Sequence, residues 1–523
     1  MHSARKIIRA TSVVTAIILV VKGLGFAEKL LLAYLFGTGI EVDAYLVAYS
    51  LPFSAFVVLR EVVRASFVPT LMRTWRESQP EGWRLFSTIG TLLLLIMTGA
   101  TVAGVLAAPP LVSLMAPGFT GEQRALAVRL TRLVMLALLP LGLSTLTMAT
   151  LHTLKRFNLP ALGEASFRAG PLILLAGVGG IQATAVGVVL GALGKLVIEA
   201  LGLRKHLRQV RLTLDLSFPP VRTVGRLAAP LLAGLFFSLF IGPLVENAFA
   251  SSVGVGGVSA LAYARKIVET LAAILPYTLG LVLLPFSAEM AAGRDQRALA
   301  GTLAGAVRAL TLIFLPVAVG LMVLRQPFVQ LLFERGAFTA ASTQLTAGAL
   351  LFYSFAMLPF ALEVIVVQFH FARQDTLTPV ITDVVTFALN VGLIPPLMAA
   401  FGLGGIALAA AIAKTVKVLA LLLLFQRKVP TFRLSSLARF AAQMALASLA
   451  AAAALVGFQF LAPNPEAGDL LALGAYLAGA GSAGGGAFVA AAYLLRVHEI
   501  RDLWQRGRTW FRARLRDSRQ GIK

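Results

Sequence analysis

Apolar residues in this chain come in long, nearly unbroken blocks. They show neither the alternation of a half-buried strand nor the one-faced spacing of a surface helix. Breaking the sequence at its charged or Pro/Gly-rich gaps leaves fourteen blocks, at 10–35, 43–71, 86–115, 125–151, 160–180, 184–203, 227–252, 258–288, 298–324, 341–370, 378–398, 403–425, 440–462 and 469–495. Each reaches the ~20 residues that a helix needs to cross a bilayer. The pattern predicts an all-α polytopic membrane protein with 14 transmembrane helices. No gap is long enough to hold a folded soluble domain.

Composition agrees. Of 523 residues 58% are apolar and 13% charged, and the mean hydropathy is +0.85. A soluble chain carries about 25% charged residues, so a soluble enzyme is excluded, and so is disorder. The chain has no cysteine, which excludes disulfides, thiolate metal sites and cysteine nucleophiles, and its five histidines show no metal-binding spacing. Arg5, Lys6 and Arg9 before an apolar stretch mimic a signal peptide. The stretch continues past Lys22 to Phe36 without a small-residue cleavage site, so it reads as the first span.

The net charge of +23 is a topology signal and does not point to nucleic acid. One set of alternate gaps, with both termini, holds 30 Lys and Arg; the opposite set holds Arg124, Arg325 and Arg335. The positive-inside rule then puts both termini and the 204–226 gap in the cytoplasm, and an even span count is consistent with that. The Arg-rich tail with Trp504 and Trp510 either rests on the anionic inner leaflet or only anchors the topology.

The first twelve blocks divide into two similar sixes. Phe67-Val68-Pro69 resembles Leu283-Leu284-Pro285, 216 residues later. Phe119-Thr120 recurs as Phe338-Thr339, Leu139-Pro140-Leu141 as Leu358-Pro359-Phe360, and Pro160 as Pro379, each at an offset of 219. Six spans preserve orientation, so these are parallel repeats, an architecture of transporters. The expected organisation is an N-terminal lobe with a cytoplasmic linker (1–215), a C-terminal lobe (216–430), two added helices (431–497) and a basic cytoplasmic tail (498–523).

Ionisable residues within spans pair with one another or face a cavity. Glu164 with Arg168, and Lys195 with Glu199, are four apart and can pair along one helix; Arg129, Arg132, Arg308 and Lys417 can snorkel. Three clusters stand out. Span one carries Lys22, Glu28 and Lys29 beside Gly23 and Gly25, where bending or local unwinding is expected. Span two carries Arg60 and Arg64 on one face, a repulsion without purpose unless an anion sits opposite. Span eight carries Arg265 and Lys266, with Glu269 able to hold Arg265. The clusters read either as a cationic central cavity for phosphate or carboxylate or as internal ion pairs. His152 and His370, at span ends, read as satisfied interfacial histidines or, less simply, as a proton relay.

Several stretches resemble the MurJ (MviN) family of lipid II flippases, within the multidrug/oligosaccharidyl-lipid/polysaccharide exporter superfamily. They are Leu24-Gly25-Phe26-Ala27, Asp43-Ala44-Tyr45, Phe67-Val68-Pro69, Ala116-Pro117-Gly118-Phe119 and Arg156-Phe157-Asn158-Leu159-Pro160. More specific are Phe333-Glu334-Arg335-Gly336-Ala337-Phe338-Thr339 and Ala372-Arg373-Gln374-Asp375-Thr376-Leu377-Thr378-Pro379. The resemblance implies export of lipid II, an undecaprenyl-diphosphate glycopeptide, across the bacterial inner membrane. Its headgroup would sit in a cationic cavity and its tail in a groove made by the last two helices. It matches Lys22, Asp43 and Glu269 to family positions; together with the three charge clusters, the candidate substrate-binding residues are Lys22, Glu28, Lys29, Asp43, Arg60, Arg64, Arg265, Lys266 and Glu269. Glu28-Lys29 and Ala264-Arg265-Lys266 swap charges relative to the family. Some members bind sodium; those ligands fall here on Glu246 and Asn390, with Ile394 where an acid is sometimes found. No organic cofactor is implied; sodium or the membrane potential would supply coupling, and a monomer is expected. The competing readings are an exporter of another polyprenyl-diphosphate glycan such as an O-antigen precursor, a membrane glycosyltransferase or phosphatase, and a non-transporting scaffold. No gap carries the carboxylate cluster that an enzyme would need, and cations kept inside a membrane without use argue against a scaffold.

Overall fold

The computed structural model describes residues 2–293, 295–465 and 468–499; Trp504, Trp510 and the rest of the tail beyond Glu499 lie outside them. Among the described residues there is no strand. The helices are α1 (His2–Phe36), α2 (Ile40–Glu77), α3 (Gln79–Leu106), α4 (Ala108–Met115), α5 (Gly121–Met135), α6 (Leu138–Thr153), α7 (Asn158–Gly177) and α8 (Ile181–Gly202). There follow α9 (Pro219–Leu235), α10 (Gly242–Ser251), α11 (Gly257–Ala292), α12 (Gln296–Val323), α13 (Arg325–Phe333), α14 (Ala340–Phe355) and α15 (Met357–Ala372). The last four are α16 (Leu377–Phe401), α17 (Leu403–Lys428), α18 (Leu434–Leu461) and α19 (Leu470–Leu494). A π-helical turn, Phe236–Ile241, joins α9 to α10.

Each expected block coincides with one helix or with two that meet at a break. The third block is divided at Ala107, because Pro109 and Pro110 open a new helix, α4. Span one is not unwound at its glycines: α1 is continuous from His2 to Phe36. By length and hydropathy nine helices among the described residues can cross a membrane, or eleven if α9 with α10 and α14 with α15 each count as one bent span. The fourteen crossings of the sequence reading require α1, α7 and α11 as well, and these three carry most of the candidate charges.

The chain packs as two units. One comprises Met1–Lys266, Arg335–Thr346 and Asp383–Ala409; the other comprises Ile267–Glu334, Ala347–Thr382 and Ala410–Lys523. In the first, α7 and α8 approach backbone to backbone: a Cβ on Gly170 would lie 2.3 Å from the Gly187 carbonyl oxygen. Small residues allow this contact where hydrophobic burial cannot drive association. In the second, Leu312 and Leu315 of α12 pack against Phe440, Met444 and Phe488 of α18 and α19.

The repeat is written into the backbone. Lys155 and Gln374 both take left-handed conformations, φ 59° and 60°, although neither is glycine. Each closes a helix in the same way: the Arg156 amide donates to the Leu151 carbonyl (2.8 Å) and the Asp375 amide to the His370 carbonyl (3.0 Å). Six-to-one bonds of this kind mark a Schellman cap. The second cap explains much of the 372–379 signature. His370 is buried with its Nδ1 2.9 Å from Asp375 and its Nε2 3.1 Å from the Leu421 carbonyl, so it is a satisfied histidine. Lys428 (2.6 Å) and the Thr378 amide (3.3 Å) also donate to Asp375. Partial burial pushes this carboxyl up, but those hydrogen bonds outweigh it and hold the group well below the usual carboxylate range.

The 333–339 signature has a different physical reason. Gly336 (φ +63°) lies so close to the end of α1 that a Cβ there would be 2.3 Å from the Tyr34 carbonyl oxygen, and one on Gly37 would be 2.3 Å from that of Ala337. The Ala337 amide donates to Tyr34 (2.8 Å), Tyr263 donates to the Gly37 carbonyl (3.2 Å), and the Thr38 and Ser342 hydroxyls are 2.8 Å apart.

Two predictions follow from these contacts. Gly336→Ala should destabilise the purified protein by more than the ~1–2 kcal/mol of left-handed strain, because main-chain atoms must also move; a melting temperature equal to the parent's would refute the packing. Because the Asp375 carboxyl is depressed, its stabilisation is complete above its unfolded value of about 3.9 and is lost as pH falls below it. The melting temperature of Asp375→Asn should therefore change less than the parent's on acidification from about pH 5 to pH 3.

Candidate functional site

The inward charges of the first unit are arranged around one face of α2. Tyr45, Tyr49, Phe53 and Phe56 form a ladder with ring centroids 5.9, 5.0 and 6.2 Å apart, at the three- and four-residue spacing that stacks side chains along a helix. Arg168 of α7 lies over Phe53 (5.1 Å) and Phe167 (5.4 Å) and donates to the Tyr49 hydroxyl (3.2 Å). A planar guanidinium suits such faces. Glu28 of α1 is buried, accepts a hydrogen bond from Tyr45 (3.3 Å) and lies 3.5 Å from Lys29.

At Gly25 two cations converge on α1. A Cβ there would lie 3.6 Å from Lys266 Nζ and 3.8 Å from Arg168 Cδ. The missing side chain thus leaves room beside the Lys266 ammonium and the Arg168 stem, and both side chains end in groups that donate strong charge-assisted hydrogen bonds to an anion. Sequence reasoning had assigned Arg168 only to its helical neighbour Glu164, which it does face at 3.8 Å; Phe53 and Tyr49, the partners it missed, come from α2. Lys22, one turn before, is exposed.

The arginines of span two find their anion within the helix. Glu61, overlooked in the sequence reading, lies 3.5 Å from Arg60 and 2.5 Å from Arg64, so their spacing does not require a ligand opposite. Arg265 pairs with Glu246 of α10, while Glu269 is exposed in the second unit. Asp43 is fully buried, and its carboxylate accepts from the amides of Gly256 (2.7 Å) and Ser259 (2.8 Å). That caps the start of α11.

Deeper charges form closed pins. Lys195 of α8 is buried, 2.9 Å from Glu199 and 3.2 Å from Glu164 of α7; Thr147 of α6 donates to Glu199 (2.8 Å). In the second unit Glu363 of α15 accepts from Lys414 (2.6 Å) and from Lys417 of α17. Lys417 is therefore buried and paired and does not snorkel. Arg308 meets Glu499 at 3.3 Å.

The sodium set does not fit as it stands. The Glu246 carboxylate is already matched by the Arg265 guanidinium, which would repel a cation, and position 394 is wholly buried isoleucine. Asn390 Oδ1 is buried and has no hydrogen-bond partner among the described residues, but it is a single donor. Among those residues no group of three or more His, Asp or Glu is placed to hold a metal ion.

The Asp43 geometry yields a test. Asp43→Ala would orphan two buried amides at about 1–3 kcal/mol each, and Asp43→Asn, which keeps one acceptor, should lose about half as much. If Asp43→Ala melts like the parent, the cap does not support the fold.

Comparison with known proteins places this architecture. A family model described as lipid II flippase MurJ matches residues 32–475. A probable lipid II flippase MurJ of Bdellovibrio bacteriovorus is 26% identical over 483 residues, covering 90% of this chain and 92% of the relative. One of Rhizobium meliloti is 29% identical over 419 residues, 76% of each chain. Among solved structures, that of lipid II flippase MurJ in an inward closed conformation aligns with a TM-score of 0.76 at 22% identity, covering 94% of this chain and 99% of its own. An inward-facing multidrug transporter of the MATE family and MOP superfamily aligns at 0.67 and 16% identity, covering 79% and 94%. These two share the fold. A family model that spans most of the chain, on a bundle of this architecture, shows that the protein belongs to the lipid II flippase MurJ family, a family of transporters and not of enzymes.

Proposed function

We propose that this protein flips lipid II from the inner to the outer leaflet of the bacterial cytoplasmic membrane by alternating access. In this reading both termini are cytoplasmic, the lobes are 1–215 and 216–430, and α18 with α19 (431–497) guides the lipid tail. The observation that carries it is the convergence of Lys266 and Arg168 at Gly25, inside a chain that matches the family model from residue 32 to 475. A diphosphate presents oxygens in every direction, and a guanidinium held over aromatic rings offers N–H donors with less further ordering. Lys22 and Lys29 extend the same cationic stretch of α1. Glu28 and Glu164 keep the site from being a bare cluster of positive charge when no substrate is bound.

The charge arrangement also supports a way of driving the cycle. An inside-negative potential acts on each charge that crosses with about 2.3 kcal/mol per 100 mV. Substrate bound to these cations neutralises them, so the loaded carrier feels little of the field. The empty carrier is cationic and is drawn back towards the cytoplasm. The potential then drives resetting, and no sodium-bound step is needed.

Two measurements test the reading. In a strain depleted of its own lipid II flippase, this chain should restore growth. Restoration by the parent that survives both Lys266→Ala and Arg168→Ala at equal expression would remove the site, while failure of the parent itself would redirect the substrate to another polyprenyl-diphosphate glycan. In vesicles, each substitution should lower lipid II flipping tenfold or more, on the order of the ~1.4 kcal/mol that one charge-assisted contact is worth. Arg168→Lys should recover part of it, keeping charge without the fork.

A further inference from the structure

The segment between α8 and α9 is built inside out. Residues 211–215 run without helical structure along the first turns of α3, stitched to it by main-chain amides: Arg211 donates to the Ser87 hydroxyl (3.1 Å) and Thr213 to that of Thr91 (3.2 Å). Asp215 pairs with Arg84, which also lies 4.7 Å over the Phe218 ring. Leu203, Val210 and Phe218 pack into the core of the first unit with Trp83, whose ring is stacked 5.0 Å from His206. The Ser217 hydroxyl and Arg84 hold the Asp215 carboxyl below the usual carboxylate range, so this anchor stays ionised at neutral pH.

With the strap pinned in that register, alternation decides what faces out. Side chains two apart in an extended segment share a side. Thr213 and Asp215 turn towards α3, and Leu212 and Leu214 turn away from it, 81% and 51% exposed; Leu216, in the turn that follows, is 52% exposed. A strap lying in water would be built the other way round, with leucines inward and polar residues outward. In sequence the leucines are flanked by Arg204, Lys205, Arg208, Arg211, Arg222 and Arg226, all exposed. The strap also leaves α8 and enters α9, both parts of candidate membrane spans, so the chain itself keeps it at a bilayer surface.

We propose that this strap is a lipid-binding surface: Leu212, Leu214 and Leu216 enter the acyl boundary of the leaflet while the surrounding basic residues bind anionic headgroups. Apolar insertion combined with basic charge is the chemistry of interfacial membrane anchors, here provided by an extended segment and not a helix. The proposal does not depend on which lipid-linked substrate the protein carries.

The chain lacks cysteine, so a single nitroxide can be placed at Leu212→Cys, Leu214→Cys, Leu216→Cys or Thr213→Cys in the full-length protein. In vesicles of phosphatidylcholine with phosphatidylglycerol, labels at 212, 214 and 216 should collide several-fold more with oxygen than with a water-soluble nickel chelate. The label at 213 should be shielded from both. Replacing Arg204, Lys205 and Arg208 together by Gln should abolish the dependence of that ratio on phosphatidylglycerol. Each labelled protein is first required to melt like the parent, and Leu214→Ser, labelled at 212, provides a second reading if one cysteine disturbs the strap: the 212 label should then move towards water. Nickel-chelate collisions dominating at 212, 214 and 216 in every lipid mixture would overturn the proposal and leave the leucine row to a protein partner. A ratio indifferent to phosphatidylglycerol in the parent would overturn its electrostatic half.

Discussion

An ionised side chain carried into an apolar bundle has to be answered by charge from within the bundle, because no water is there to do it. Much of the packing around the site obeys that constraint. Lys195 joins α7 to α8 because Glu164 and Glu199 both reach it, and Glu363 joins α15 to α17 because it needs Lys414 and Lys417. Lys195 and Lys414 are themselves 219 residues apart, so the lysine occupies the same place in both repeats while its acid comes from different helices. Arg265 and Glu246 tie α11 to α10 in the same manner. The charges of the candidate site are in this sense structural first.

The two family signatures turn out to be backbone devices. Gly336 permits main-chain contact with the end of α1, and the Gln374–Asp375 turn closes α15 and fastens it to α17 through His370 and Lys428. The most recognisable sequence in the chain thus identifies the fold, and the site is made from less conspicuous positions.

The helices and the repeat were legible because block length and fixed offsets are properties of sequence alone. Pairs four apart on one helix, such as Glu164 with Arg168 and Lys195 with Glu199, were legible for the same reason. Partners on other helices were not. Nothing local links Glu363 to Lys417, Glu246 to Arg265, or the Asp43 carboxylate to amides at 256 and 259. Glu61 was missed although it stands between its two arginines, because attention went to the like charges. The strap looked like an ordinary basic linker, since an alternation of leucine with polar residues is ambiguous until the inward side is known.

The contact of Gly336 and Ala337 with residues 34–37 has a consequence for how this part of the first unit can move. Its opposing surfaces are main-chain atoms, with the Ala337 amide 2.8 Å from the Tyr34 carbonyl oxygen and no Cβ on either glycine. Side chains can loosen by changing rotamer, but a seam of backbone has no such gradual freedom and parts only when whole segments shift. A contact of this kind is therefore either made or broken, with little between the two states.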